Sequence, residues 1–269
     1  MYEYDVSSKS LQELLNFKNR VAVITGGARG IGFAIASRLA EAGATVIIGD
    51  LSEQQAKDAA HTLNQKFGNP THSFLLNVAN AESIKAFLGS VLHHYNRLDI
   101  WVNNAGIYPF IGALDITDED YDKLININQR GTFISTREAA NAMIATSGGG
   151  VIINIVSTAA IKTAGNATHY TASKHAVAGL TQGFARELGS KGVRVLAVAP
   201  TLVATPGVEE LKQSNKDIAK GLDGFAASLP LGRAALPDDV ARVVLFCASD
   251  LAMFMTGSIV FVDGGEITF

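Results

Sequence analysis

The chain has 269 residues, of which 48% are hydrophobic and 17% charged, and its net charge is −3. This composition supports a large apolar core and excludes a disordered chain, and the weak acidity leaves no basic footprint for nucleic acid or for a membrane surface. One cysteine excludes an internal disulfide framework; Cys247 sits in an apolar run at 243–247 and reads as buried and inert. The N-terminus carries no apolar signal region, and no stretch reaches the ~18–20 apolar residues of a membrane span, so a soluble cytoplasmic protein is expected.

Residues 1–19 read as an extension. Ser10 and Glu13 have capping-box spacing, and Leu11, Leu14 and Leu15 share one helical face, which predicts a short helix laid against the body. From residue 20 to residue 269 the pattern predicts one domain of alternating strands and helices. Strands are expected at 21–25, 45–49, 73–78, 99–103, 151–156, 193–199 and 258–262. Helices are expected at 31–42, 52–67, 81–95, 118–145, 168–189 and about 237–248. The early strands are continuous apolar runs, as in parallel strands buried on both faces. An α/β fold follows: a doubly wound, seven-stranded parallel sheet of Rossmann type, with right-handed crossovers and helices on both faces. Residues 206–228 break this rhythm with a charged stretch, expected to be a partly helical lid over the active site.

The turn Thr25-Gly26-Gly27-Ala28-Arg29-Gly30-Ile31-Gly32 joins the first strand to the first helix of the domain. Glycines let the backbone turn sharply and let a pyrophosphate approach the helix N-terminus, where free N–H groups carry partial positive charge. Asp50 ends the next strand. A carboxylate there accepts hydrogen bonds from both hydroxyls of an adenosine ribose and repels a 2′-phosphate. Leu51, a further expected cofactor contact, and Ser52 supply no neighbouring cation, so NAD is favoured over NADP. Arg29, in the glycine turn, is the opposing consideration.

Tyr170 and Lys174 lie four residues apart, on one helical face. Free tyrosine titrates near pH 10, and bringing it into the working range needs about 3–4 kcal/mol. A cation about 4 Å away supplies roughly that at an effective dielectric near 20. Ser157 ends the fifth predicted strand, thirteen residues before Tyr170. Asn103-Asn104-Ala105-Gly106 ends the fourth. Both are positions where open α/β sheets bind ligands.

With these motifs in hand, residues 18–265 resemble the single-domain branch of the short-chain dehydrogenase/reductase family. The matching segments are the glycine turn, Asn103 to Gly106, Asn128-Gln129-Arg130-Gly131, Ser157, Tyr170 with Lys174, and Val262-Asp263-Gly264-Gly265. The resemblance implies a catalytic tetrad. Tyr170 would be the general acid/base. Ser157 would orient the substrate oxygen. Lys174 would bind the nicotinamide ribose and lower the tyrosine pKa, and Asn128 would hold a proton-relay water. It also implies that Asn77 and Val78 flank the adenine, that Asn104, Ala105 and Gly106 line the adenosine ribose, and that Pro200, Val203 and Thr205 meet the nicotinamide amide. Substrate contacts would come from Ser157, Ile161, Asn166, Tyr170, Thr201 and Leu202, with Tyr108, Pro109 and Phe110 nearby. The chain departs from the family pattern at Asn77, where aspartate is usual, at Thr201, where glycine is usual, and at Val156, where serine is frequent.

The expected activity is NAD-dependent interconversion of a secondary alcohol and a ketone, with a polyol as the second substrate class. The alternatives are an NADPH-dependent 3-ketoacyl-carrier reductase and a non-catalytic dinucleotide-binding sensor. The six histidines show no ligand spacing, so no catalytic metal is expected. Small residues on the Tyr170 helix (Ala172, Ala176, Ala178, Gly179 and Gly183), together with the resemblance, suggest a homotetramer.

Overall fold

The computed structural model describes residues 5–163 and 165–268. Residues 1–4 of the predicted extension lie outside it. Seven strands form one parallel sheet: β1 Val21–Thr25, β2 Thr45–Asp50, β3 Thr71–Leu75, β4 Ile100–Asn103, β5 Gly150–Ile155, β6 Val193–Pro200 and β7 Ile259–Val262. Their order is β3-β2-β1-β4-β5-β6-β7. The chain winds outward from β1 in one direction, then returns to β4 and winds outward in the other. The crevice above the C-terminal ends of β1 and β4 is the position where such sheets hold ligands.

The helices begin and end where local chemistry dictates. Helix α2 (Gly30–Glu41) follows the glycine turn. Helix α3 (Glu53–Phe67) is capped by the Ser52 hydroxyl and stopped by Gly68 at φ 71°. Helix α4 (Ala81–Tyr95) is capped by the Asn80 side chain and ended by Asn96 in the left-handed region. Helix α10 (Pro237–Ala248) starts on a proline, which lacks the N–H that a helix cannot use there.

Two cores flank the sheet. On one face Ile24, Ile48, Ile153 and Val198 pack with Ile35 and Leu39 of α2, Leu63 of α3, and Val240 and Val244 of α10. On the other, Val23, Ile47 and Trp101 pack with Ile84 and Phe87 of α4 and with Ile134 and Met143 of α6 (Gly131–Thr146). Arg38 of α2 grips Asp238 of α10 through two hydrogen bonds of 2.6 and 2.8 Å, closing the first face. Cys247 is fully buried there, and burial pushes its thiol up to about 11, which keeps it protonated and unreactive.

Three expectations need correction. The predicted third strand begins two residues earlier and stops at Leu75, because its partner β2 ends opposite it at Asp50. The long helix predicted at 118–145 is interrupted. α5 (Asp118–Ile125) and α6 are separated by a π-helical turn at Asn126–Arg130. Gly131 follows, and a Cβ there would lie 2.6 Å from the Val78 carbonyl oxygen, so the helix passes that loop only by having no side chain. The short N-terminal helix α1 (Leu11–Leu14) has its capping box, yet it buries no residue. Four residues make too small a face to dock. The segment is instead anchored by Phe17, fully buried, and by Asp250, which binds Lys9 at 2.8 Å and Arg20 at 2.6 Å.

Candidate active site

A cavity of about 670 Å³ opens at the C-terminal ends of the central strands. Its first wall is the glycine turn. Gly26 adopts φ 62° and Gly30 φ 57°, a region that side chains disfavour. A Cβ on Gly32 would sit 2.1 Å from the Gly26 carbonyl oxygen, so the start of α2 packs on the turn only as glycine. Asn104 braces the turn from β4, its amide donating to the carbonyls of Thr25 and Gly26 at 2.9 Å each. The Thr25 hydroxyl accepts in return from the N–H groups of Asn104 and Ala105, both at 3.0 Å. Arg29, the N-cap of α2, provides no side-chain cap. The N–H groups of the first helical turn therefore remain for an anion, and Gly26, Gly30, Ile31 and Gly32 all line the cavity. This cradle fits the pyrophosphate of a dinucleotide.

Asp50 lines the same wall. Its carboxylate accepts from the N–H of Ala28 and of Ser52, each at 3.1 Å, which fixes its orientation beside the glycine turn. Arg29 turns away from it and pairs with Glu210 at 2.7 Å, both side chains being exposed.

The candidate reactive groups line the same cavity. Ser157, Tyr170 and Lys174 line the cavity together. Ser157 follows β5, and its hydroxyl accepts from the Ala159 N–H at 3.1 Å, which starts a short 3₁₀ turn. Tyr170 and Lys174 stand one turn apart on α7 (Thr168–Leu188). Burial pushes the Tyr170 hydroxyl up to about 12, and a hydrogen bond with Ser157 opposes it. Burial also pulls the Lys174 ammonium down to about 8. That ammonium donates to the Ile155 carbonyl at 2.9 Å and lies 5.6 Å from the centre of the Tyr170 ring. Within the protein's own groups, desolvation outweighs the lowering that the Tyr-Lys spacing suggests.

Asn128 is buried in the π-helical turn and does not line the cavity. Its amide donates to the Ile107 carbonyl at 2.8 Å and its oxygen accepts from the Ile107 N–H at 2.9 Å. The amide also lies 3.4 Å from the Ser173 hydroxyl, so the side chain ties the π-helical turn to the Ile107 backbone and to α7; the relay water that the resemblance assigns to Asn128 stays a proposal.

Pro200, Thr201, Leu202, Val203 and Thr205 line the cavity after β6, pinned by Ala235, whose N–H donates to Leu202 and whose carbonyl accepts from Ala204. Asn104, Ala105 and Gly106 line it from β4, and Tyr108, Pro109 and Phe110 from the loop beyond. Five expected contacts fall outside the lining. Leu51 is 70% exposed beyond Asp50. Asn77 uses its side-chain oxygen on the Ala79 N–H, and Val78 passes beneath Gly131. Ile161 ends the 3₁₀ turn half exposed, and Asn166 is held at φ 57° with its carbonyl accepting from the Ile111 N–H.

The segment expected to form a lid contributes to the lining, with Val208 and Leu211 from α8 (Pro206–Ser214) and Leu222 and Phe225 from α9 (Lys216–Ser228). Sequence reasoning missed Lys162 and Glu266, which come from two separate loops. A buried amide chain was missed as well. Asn103 accepts from the Trp101 indole and donates to Thr136 and Asn154, and Asn154 donates to Thr181. It locks β4, β5, α6 and α7 together behind the site. The asparagine inside the apolar run 151–156 was its only sign.

The residues 26–266 match the family model described as enoyl-(acyl carrier protein) reductase. The chain is 36% identical over 253 residues to the 3-oxoacyl-[acyl-carrier-protein] reductase FabG of Thermotoga maritima, covering 94% of this chain and all of that one. It is 37% identical over 246 residues to the D-threitol dehydrogenase of Mycolicibacterium smegmatis, covering 91% of this chain and 92% of that one. The crystal structure of gox2181 superposes with a TM-score of 0.89 at 38% identity, covering 96% of this chain and 99% of that one. The chain therefore belongs to the short-chain dehydrogenase/reductase family of oxidoreductases acting on CH–OH groups.

Proposed function

We propose that the protein is an NAD-dependent oxidoreductase that interconverts a secondary alcohol and a ketone, with Tyr170 as its general acid/base. One observation carries this reading: Ser157, Tyr170 and Lys174 share a single cavity with the glycine turn and Asp50. The nicotinamide, when bound, supplies the carbon that accepts or donates hydride and, in its oxidised form, a positive charge. In the oxidation direction the Tyr170 phenolate, favoured by the Lys174 ammonium and by the positive charge of the bound oxidised nicotinamide, would take the hydroxyl proton as hydride leaves the carbon. Ser157 holds the substrate oxygen and stabilises the charge that develops on it. Lys174, low in pKa and fixed by Ile155, holds the ribose hydroxyls and adds positive field beside the phenol. Asp50 accepts from the adenosine ribose, and α8 with α9 forms a lid whose apolar side chains exclude water.

A second reading, an NADPH-dependent 3-ketoacyl-carrier reductase, draws on the relative named for that reaction and on Arg29. Asp50 opposes it by repelling a 2′-phosphate, and Arg29 is engaged by Glu210. Fluorescence titration with NADH and NADPH, with Asp50→Ala beside the wild type, tests the choice. Tighter NADH binding, with NADPH gaining in the variant, supports NAD. Tighter NADPH binding by the wild type reverses the assignment.

The proposed assembly is a homotetramer in the cytoplasm. Ala172, Gly179 and Gly183 lie exposed along one stripe of α7, with Ala176 half-buried between them and exposed Phe133 on neighbouring α6. Ala178 packs inward and takes no part. Among the described residues no helix is long and apolar enough to cross a membrane. Sedimentation as a monomer overturns the tetramer.

A further inference from the structure

The Asp263-Gly264-Gly265 motif takes no part in the reaction above, yet it shapes how the chain turns back into the cavity. The Asp263 carboxylate accepts from the N–H groups of Gly265 at 3.2 Å and Ile267 at 2.9 Å. Gly264 and Gly265 adopt φ 58° and 90°, and a Cβ on Gly265 would lie 2.8 Å from the Pro230 ring. The Leu231 N–H donates to the Gly264 carbonyl at 3.1 Å, and the Glu266 N–H donates to the Asp263 carbonyl at 3.0 Å. This turn delivers the Glu266 side chain, 9% exposed, to the wall that also holds Ser157 and Tyr170.

One oxygen of that carboxylate, Oε1, lies 3.6 Å from the Lys162 ammonium. The other, Oε2, is buried without a hydrogen-bond partner. The Thr201 hydroxyl, in the same cavity, is also buried without a partner. Buried polar groups left unpaired cost free energy that a ligand with matching donors returns. Lys162 already balances the Glu266 charge, so a second cation has no electrostatic call to bind. The unmet need is for a neutral group that donates to a carboxylate oxygen and exchanges a hydrogen bond with a hydroxyl. An alcohol hydroxyl does both.

We infer that Glu266 and Thr201 form a hydroxyl-recognition subsite. The substrate carries, beside the carbinol or carbonyl carbon that reacts, a further hydroxyl from which the Glu266 carboxylate accepts as the side chain turns toward the cavity. Val208, Leu211, Leu222 and Phe225 make the side formed by α8 and α9 apolar, so the class is a short diol, polyol or hydroxyketone with an apolar flank. The inference rests on the alcohol–ketone reading and narrows its substrate.

The test compares kcat/KM for butan-2-ol, butane-2,3-diol and the tetritols in wild type, Glu266→Gln and Glu266→Leu, using the nicotinamide that binds more tightly. In the wild type the preferred hydroxylated member exceeds butan-2-ol by roughly ten- to a hundredfold, the scale of a hydrogen bond to a charged group. Glu266→Leu collapses that ratio. Glu266→Gln, isosteric and still an acceptor, keeps part of it and shows that loss in the leucine variant is not loss of the fold. A wild-type ratio near one, or a ratio that survives Glu266→Leu, overturns the subsite. So does a wild type that binds NADH and oxidises none of the series. Tyr170→Phe separates the two ideas. If butan-2-ol oxidation depends on Tyr170 and hydroxylated members gain nothing, only the subsite falls. If Tyr170→Phe retains full activity, the catalytic reading falls.

Discussion

The two ends of the cavity are built from different materials. The phosphate end is backbone: Gly26, Gly30 and Gly32, braced by Asn104 and Thr25, with a single carboxylate at Asp50. The chemical end is side chains brought from far apart in the chain: Ser157, Tyr170 and Lys174, closed over by α8, α9 and the turn that holds Glu266. Backbone geometry has almost no tolerance, since a Cβ at Gly32 meets the Gly26 oxygen at 2.1 Å. Side-chain geometry can be retuned one residue at a time. The first end serves a ligand common to many enzymes, and the second decides what is done with it.

Four experiments press on this contrast. The largest effect is expected at the chemical end, where Tyr170→Phe removes the proposed acid/base. kcat falls by about 10³-fold, while NADH titration shows cofactor affinity within about threefold of wild type. A matching loss of NADH binding would mean the two ends are not separable. At the phosphate end, Gly32→Ala forces the turn apart. Denaturant unfolding should show about 3 kcal/mol of lost stability, with NADH binding lost alongside. A variant as stable as wild type would show that the backbone end is less rigid than described.

The buried Lys174 gives a pH signature of comparable size. Burial brings its ammonium from the ordinary 10.5 down to about 8. Between those values the unfolded chain holds a proton that the fold has released, so stability relative to Lys174→Met rises with pH across that window, by about 3 kcal/mol. Tyr170 acts in the opposite sense above pH 10. Its hydroxyl, held up to about 12, stays protonated in the fold after the unfolded phenol has ionised, so stability falls again. A flat difference between wild type and Lys174→Met from pH 8 to 10 would contradict a desolvated lysine. The smallest effect concerns the contact that ties the two ends. The Arg29–Glu210 pair is exposed, so Glu210→Ala changes NADH affinity by less than about threefold at 0.15 M salt. A larger loss would make the lid part of the dinucleotide site.

The same contrast explains what could be read from the sequence. A backbone cradle needs glycines at fixed spacing between a strand and a helix, and Gly26 to Gly32 announce it. The order of strands and helices was also legible, because burial on both faces makes each strand a continuous apolar run. Tyr170, Ser157 and Lys174 stood out by spacing and by resemblance. Glu266 and Lys162 did not, since a lone acid near the C-terminus and a loop lysine look like solvated charges until the chain folds them together. Ile161 and Asn166 show the converse. They are near Ser157 and Tyr170 in sequence, yet neither lines the cavity, Ile161 lying just past a 3₁₀ turn and Asn166 in the left-handed region. The π-helical turn that buries Asn128 has no composition signal, and the close approach of Gly131 just after it is to the Val78 carbonyl, from another part of the chain.

The clasp between Arg38 and Asp238 has a consequence for synthesis. Helix α2 leaves the ribosome early, but α10, which covers it, begins 199 residues after Arg38. At about 5–20 residues per second the nascent chain carries the apolar side of α2 uncovered for roughly 10–40 s. Strand β1 waits in the same way for β4 on one edge. The first-made half is therefore an incomplete surface throughout translation, a natural client for a chaperone. A chain truncated before residue 237 would keep its dinucleotide motif and lose the helix that covers the apolar side of α2.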